Sequence, residues 1–339
     1  LTRLAATAPT LKLLVTSRVR LGVAGEHELR VATIRLPEDG AAESALRETP
    51  AVRLFVRRAS DASATLVFDD EAVRAAASIC ARLDGLPLAI ELAAARCRLL
   101  SPHAVASRLD AGLSLLSGGR RDAPERHQTM RRTVMWSYAL LSPDEQRLFV
   151  RMAVFAGGCT LSAAESVCAD PASSLSVLDG LGALVDASAL VRDVPVRGGE
   201  PRLRMLATVR EVALELLSSS AAADAVARRH SEWYGRLATS FAPQLIGEAQ
   251  HDALATLAAE HVNFDAALQL ALDLGDADAA LELGAALWRY WLVRGHLAEG
   301  RAWLARMLAL TTSSAPSLDG LRADVMTGAT RPVFQGPAD

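Results

Sequence analysis

The chain reads as mainly α-helical, with one short α/β segment at its front, and three features of the sequence say so. Aromatic residues make up only 4% of 339 residues while alanine and leucine recur throughout, which favours helices packed through small aliphatic side chains over sheets. From about Ala51 onward, apolar residues fall at helical spacing between breaks rich in Gly, Pro and Ser. Leu11 to Thr16 differs: it is an almost continuous apolar run, the pattern of a strand buried on both faces of a parallel sheet.

Each element follows in order. Ser17 and Arg18 stand at the carboxyl end of that strand, where open α/β sheets place their ligands. Val52 to Ala59 reads as a helix, and Val73, Ala76, Cys80 and Leu83 mark one face of the next, whose start Asp69 or Asp70 can cap. Gly85-Leu86-Pro87-Leu88 interrupts the pattern: Gly85 suits a helix end and Pro87 the first turn of a helix striped by Leu88, Leu92, Ala95 and Leu99. Ser101-Pro102 opens another short helix. The run from Ser117 to Pro124 is a linker by composition, and a domain boundary is expected there.

Beyond the linker, Met130, Val134, Tyr138 and Leu141 form a helical stripe, and Ser142 to Glu145 is a capping box with Pro143 at the first helical position. The helix it starts buries Leu148, Met152 and Phe155 and ends at Gly157-Gly158. Two shorter helices follow, then a strand at Leu190 to Arg192, a turn at Gly198-Gly199 and a strand at Leu203 to Leu206. Helices followed by a small hairpin are the pattern of a winged helix. A last helix carries Val209, Val212, Ala213 and Leu216. From there to about Leu310 the chain is helix upon helix, with Gly275 and Gly295 at breaks and Leu287, Trp288, Trp291 and Trp303 demanding cover from neighbours. Two segments about one tetratricopeptide period apart, FDAALQLAL and LAEGRAWLARML, give a faint repeat signal. The Ser, Pro, Gly and Asp composition from Thr311 predicts a loose tail.

Charge and cysteine usage exclude several functions. The formal charge of −3 supplies no global field for nucleic acid or an anionic membrane. Cys80, Cys97, Cys159 and Cys168 lack metal-ligand spacing and read as buried thiols of a reducing compartment; with no apolar run of membrane-spanning length, a cytoplasmic location is expected. No catalytic constellation and no metal site is expected. His230, His261 and His296 read as helix-surface or interhelix contacts, and Trp288, Tyr290, Trp291 and Trp303 as core anchors. Arg120, Arg121, Arg126, His127, Arg131 and Arg132 form a basic cluster that fits either a DNA backbone or, more simply, a charged linker and solvated helix face.

Several stretches, in order from residue 11 to 310, resemble one family: LKLLVTSRVRLGVAGEH, AVRLFVRRA, RLDGLPLAIELAAARCRLLSP, HQTMRRTVMWSYALLSPDEQRLFVRMAVFAGG, LRMLATVREVALELL and LWRYWLVRGHLAEGRAWL. The resemblance is to the bacterial STAND-type signalling ATPases, the NB-ARC-like modules of LuxR-type and SARP-type (AfsR-like) transcriptional regulators. It implies the C-terminal remnant of a P-loop NTPase α/β domain at 1–46, a small helical domain with the GLPL motif at 47–118, a winged helix at 127–217, a TPR-like helical array at 221–310 and the tail at 311–339. By resemblance Thr16, Ser17, Arg18, Gly85, Leu86, Pro87 and Leu88 would be the nucleotide-binding residues for ATP or ADP with Mg in the intact module: Arg18 would face the terminal phosphate with Thr16 near it, and Pro87 would pack near the base. A guanidinium suits the first role because it stays charged and offers forked donors to phosphate oxygens.

Two departures from the family matter. The Met-His-Asp motif of related plant and animal proteins falls on Met205-Leu206-Ala207, which has no histidine. Lys12, the only lysine, is flanked by Leu11 and Leu13, so no GxxxxGK[ST] loop exists to cradle a triphosphate. Thr65 to Asp70 imitates a magnesium-holding strand and acid but comes after the strand ending in Thr16-Ser17-Arg18, whereas the family places that motif before it, so helix capping is the expected role of its acids. The resemblance therefore implies a piece of a nucleotide-gated regulator with no hydrolysis of its own, whose front half lies before Leu1 and whose array continues where GLRADVMTGAT begins. A protein partner or inducer would bind the array, and DNA would be reached through a domain elsewhere; DNA binding by the winged helix, or a purely helical scaffold, are the alternatives.

Overall fold

In a computed structural model of the chain, described over residues 14–15, 23, 26–27, 29, 31–38, 40–63, 66–109, 130–193 and 200–310, helices dominate and one two-stranded sheet is present. The helices divide between two compact units, and residues of the segment 141–218 contribute to both.

The first unit contains residues up to Phe149 with Asp179–Val191 and Met205–Glu215. Its helices are α1 (Glu43–Glu48), α2 (Pro50–Ala62), α3 (Asp70–Arg82), α4 (Pro87–Ala95) and α5 (Pro102–Leu109), followed by α6 (Met130–Tyr138). Local signals set their ends. Pro50 and Pro87 occupy first-turn positions, where a missing N–H costs nothing. Asp69 caps α3 by accepting from Ala72 N at 2.8 Å, as expected, while Asp70 is its first residue and pairs with Arg47 at 2.7 Å. Packing then falls to small and aliphatic side chains: α2 lies against α4 and α3 against α5, burying Val52, Phe55, Val73, Ile79, Leu83 and Ile90 completely. Phe68 closes the edge of this core with its ring T-shaped to Phe55 at 6.4 Å.

The second unit contains Val150–Leu178, Arg192–Arg204 and the chain from Leu216. Here α7 (Pro143–Met152) begins in the first unit and ends in this one, joined by α8 (Leu161–Cys168), β1 (Val191–Asp193) and β2 (Arg202–Arg204). Helix α9 (Val177–Asp186) and α10 (Ala207–Ser218) belong mostly to the first unit. The helices behind them are α11 (Ala223–Phe241), α12 (Gln250–Ala259), α13 (His261–Asp273), α14 (Ala277–Arg294) and α15 (Leu297–Leu310). Helix α11 packs on α8, α13 and α14, and α14 packs on α13 and α15. Tyr234, Phe264, Leu268, Tyr290 and Trp291 are buried between them, so Tyr290 and Trp291 are the core anchors expected; Trp288 and Trp303 are only half-buried. Gly275 and Gly295 end α13 and α14 in the left-handed region, φ +67° and +80°, as their placement at breaks implied.

Some expectations need correction. Within the predicted strand Leu11 to Thr16, only Leu14 and Val15 are described; both are exposed, 95% and 44%, and neither is in a strand. A strand buried on both faces needs neighbouring strands, and among the described residues the only sheet is β1–β2. The predicted hairpin is present but its strands are Val191–Asp193 and Arg202–Arg204, shifted by one residue or more from the expected runs. The linker 117–124, the turn Gly198-Gly199 and the tail from Thr311 lie outside the described residues.

Candidate functional site

The GLPL elbow is built by two successive left-handed residues. Asp84 at φ +51° and Gly85 at φ +65° follow α3, with Asp84 N donating to Ala81 O at 3.1 Å and Gly85 N to Cys80 O at 3.2 Å. These paired bonds satisfy the last carbonyls of α3, and a short polar side chain tolerates the left-handed position that glycine usually takes. Gly85 is indispensable for a second reason. Its carbonyl accepts from Ile34 N at 3.0 Å, and a Cβ there would sit 2.2 Å from Ile34 O. The segment 31–38 is thereby laid against the elbow, with Ile34 and Leu36 packed on the core.

Of the elbow's residues, Gly85 is buried, Leu86 and Leu88 are half-buried and Pro87 is exposed. Thr16, Ser17 and Arg18 lie outside the described residues, so the elbow is the part of the expected nucleotide site that can be described. It meets an unexpected partner: the Asp84 carboxylate accepts from Ala207 N at 2.5 Å, capping α10 at the Met205-Leu206-Ala207 position. An anionic side chain is favourable at a helix N-terminus, where backbone N–H groups are unsatisfied. No local sequence signal reveals this bond, because it joins residues far apart in the chain. An open groove of about 460 Å³ in the same unit is lined by Arg47, Arg53, Leu54, Val56, Arg57 and Val73, and none of the elbow residues borders it.

The winged helix is assembled from the capping box onward. Ser142 N donates to Glu145 Oε2 at 2.7 Å and Glu145 N to Ser142 Oγ at 3.4 Å, so both halves of the expected box form at the start of α7. After α7, Gly158 turns at φ +74° and delivers Cys159 to β2, where Cys159 and Leu203 exchange antiparallel bonds of 2.8 and 2.9 Å. Thr160 caps α8, accepting from Ala163 N at 3.2 Å.

Helix α9 is the third helix counted from α7 and directly precedes the β1–β2 hairpin, the place in chain order of the groove-entering helix of a winged helix-turn-helix. Its sequence, VLDGLGALVD, holds no Lys, Arg, His, Asn, Gln, Ser or Thr. Reading base edges and phosphates needs donors, and this helix offers two carboxylates instead, Asp179 and Asp186. Several arginines between residues 131 and 204 are paired within the protein. Arg131 pairs with Glu215 at 3.1 Å, Arg151 with Asp170 at 2.9 Å and Arg204 with Asp193 at 3.2 Å, and Arg147 pairs with Asp144. Arg192 is exposed on β1. Of the expected basic cluster, Arg120, Arg121, Arg126 and His127 lie outside the described residues.

Arg202 of β2 anchors a buried polar lock that sequence reading missed. Its guanidinium forms a two-pronged pair with Glu260, one arm at 3.0 Å, and also donates to Gly158 O at 3.0 Å. Asn263 is fully buried and uses its whole amide: Oδ1 accepts from Ala156 N at 2.9 Å and Gly157 N at 3.2 Å, and Nδ2 donates to Gly158 O at 2.8 Å and Glu260 Oε2 at 2.7 Å. Tyr234 Oη donates to Glu260 Oε2 at 3.2 Å, and its phenol pKa is driven up by burial and the nearby carboxylate. The lock therefore ties the glycine loop and the wing strand to the junction of α12 and α13. Its only signal in the sequence is an acid and an amide at i and i+3 beside an apolar helix.

Comparison with known proteins fits this architecture. Residues 141–218 match the winged helix-turn-helix domain family. The chain is 40% identical over 305 residues to a Mycobacterium tuberculosis protein named "Putative HTH-type transcriptional regulator", covering 88% of this chain and 32% of that protein. A Mycobacterium bovis protein of the same designation aligns equally. An uncharacterized protein of Mycobacterium tuberculosis is 39% identical over 224 residues, 66% of this chain and 54% of that protein. The chain thus spans about a third of the length of the regulators it matches. No solved structure matches it. No helix among the described residues is long and apolar enough to cross a membrane.

Proposed function

We propose that this chain is the signal-handling part of a cytoplasmic transcriptional regulator, in which the winged helix serves as an internal joint and DNA is contacted by another part of the whole protein. The composition of α9 carries this reading: a helix with two carboxylates and no donor side chain is the wrong surface for a groove lined by phosphates. The named regulators it resembles supply the transcriptional context. Within this reading the elbow, bonded through Asp84 to the start of α10, is where ATP or ADP with Mg would bias the joint in the intact regulator, and the TPR-like array receives a protein partner or inducer. Hydrolysis is assigned to no residue of this chain, because no glycine-cradled lysine is present to hold a triphosphate.

The second reading is DNA binding by the winged helix itself, favoured by the family match at 141–218 and by the exposed Arg192. Fluorescence anisotropy of labelled duplex DNA at low salt separates the two. The expected result is no saturable binding by this chain. Salt-sensitive binding that falls on Arg192→Ala would establish the second reading and overturn the first.

A further inference from the structure

The face shared by α13 and α15 gathers chemistry that neither the elbow nor the winged helix uses. His261 opens α13 and Asp265 follows one turn later; His296 precedes α15, and Glu299 sits in its first turn. The two imidazoles stack at 4.5 Å between centroids, with planes 21° apart. His261 Nε2 lies 3.4 Å from Glu299 Oε1 and 3.8 Å from Asp265 Oδ2, while His296 Nδ1 lies 3.6 Å from Glu299 Oε2. One ligand atom from each of His261, His296 and Glu299 falls within 4.8 Å of the others.

This arrangement is poorly satisfied as an interhelix contact. His261 Nδ1 and Glu299 Oε1 are buried without a hydrogen-bond partner among the described residues. The carboxylates of Asp265 and Glu299 both face His261, at 3.8 and 3.4 Å from its Nε2. Trp303 Nε1 donates to Asp265 Oδ1 at 3.1 Å, which orients the carboxylate with Oδ2 toward His261. Such outer bonds are the usual support of a ligating side chain.

We propose that His261, Asp265, His296 and Glu299 form a site for a divalent transition-metal ion, with zinc the best match. Two imidazole nitrogens and two carboxylates are a zinc-type donor set, and a cation here would neutralise the facing acids and bond the buried Glu299 oxygen that makes no hydrogen bond among the described residues. The i, i+4 and i, i+3 spacings put each helix's two donors on one side, so the ion would clasp α13 to α15. His261 and His296 do meet between the helices as expected, and a ligand role goes beyond that contact.

The test uses the full chain, stripped with a chelator, dialysed and titrated with zinc chloride by calorimetry, with a parallel cobalt(II) absorption spectrum. The expected result is one saturable equivalent, a rise in melting temperature, and tetrahedral cobalt bands without a thiolate charge-transfer band. The double variant His261→Asn, His296→Asn should weaken binding at least about tenfold. Glu299→Gln gives the same readout should that variant fail to fold. Absence of saturable binding, a cobalt–thiolate band, or zinc affinity unchanged in the folded variant would each overturn the proposal.

Discussion

Each unit has an interior held by its own kind of chemistry. In the first, α2 to α5 meet through Val, Ile, Leu, Ala and one fully buried Phe55, while polar bonds such as the Asp69 cap and the Arg58–Glu91 pair lie outside that core. In the second, an equally apolar helical core surrounds the charged lock of Arg202, Glu260, Asn263 and Tyr234. Apolar burial is strong but has no direction, so it tolerates rearrangement as long as volume is conserved. A two-pronged ion pair and an amide with all its bonds made admit one geometry only. Direction is what the wing needs: a three-residue strand and a glycine loop have too little apolar surface to be located by packing.

Cutting each unit at its own kind of contact sharpens that contrast. Phe55→Ala should cost about 4 kcal/mol in urea unfolding, since a fully buried ring leaves a cavity the helices only partly close. Glu260→Ala should cost about 3 kcal/mol, because Arg202 and Asn263 lose their shared partner. The further change to Glu260→Leu with Arg202→Met should recover much of that loss while the wing loses its fixed position, visible as faster amide exchange at residues 156–159. Equal exchange in that double variant and the parent would mean the lock does not orient the wing.

Glycines give a second, smaller contrast. Gly85→Ala should cost roughly 3 kcal/mol, from the left-handed backbone and the contact with Ile34 O, and should expose residues 31–38 to proteolysis. Gly275→Ala has open space around its Cβ and should cost only about 1 kcal/mol. Equal costs would show that segment 31–38 does not depend on the elbow. The smallest effect is Asp69→Ala, about 1 kcal/mol for the lost cap of α3, read from the same unfolding curves.

Much of the scaffold was legible because its signals are local. The capping box at Ser142 and Glu145, the Asp69 cap, Pro87 in a first turn and the glycines after α13 and α14 each specify backbone within a few residues, and each formed as read. The apolar run at Leu11 to Thr16 is less legible, because a strand inferred from such a run presumes neighbours that local pattern cannot supply; of its residues, Leu14 and Val15 are described, and they are exposed and outside any strand. The acidic character of α9 was equally open to view, but its meaning depended on knowing that this helix is the one directly before the β1–β2 hairpin.

Helix ends, turns and the apolar stripes were thus determined by sequence alone, since backbone satisfaction and side-chain periodicity act over one or two turns. The tertiary structure decided the bond from Asp84 to Ala207, the lock around Glu260 and the meeting of His261 with His296. Polar contacts between distant residues leave no periodic trace, because a single buried donor or acceptor is paired by whichever segment the packing of the helices brings within reach.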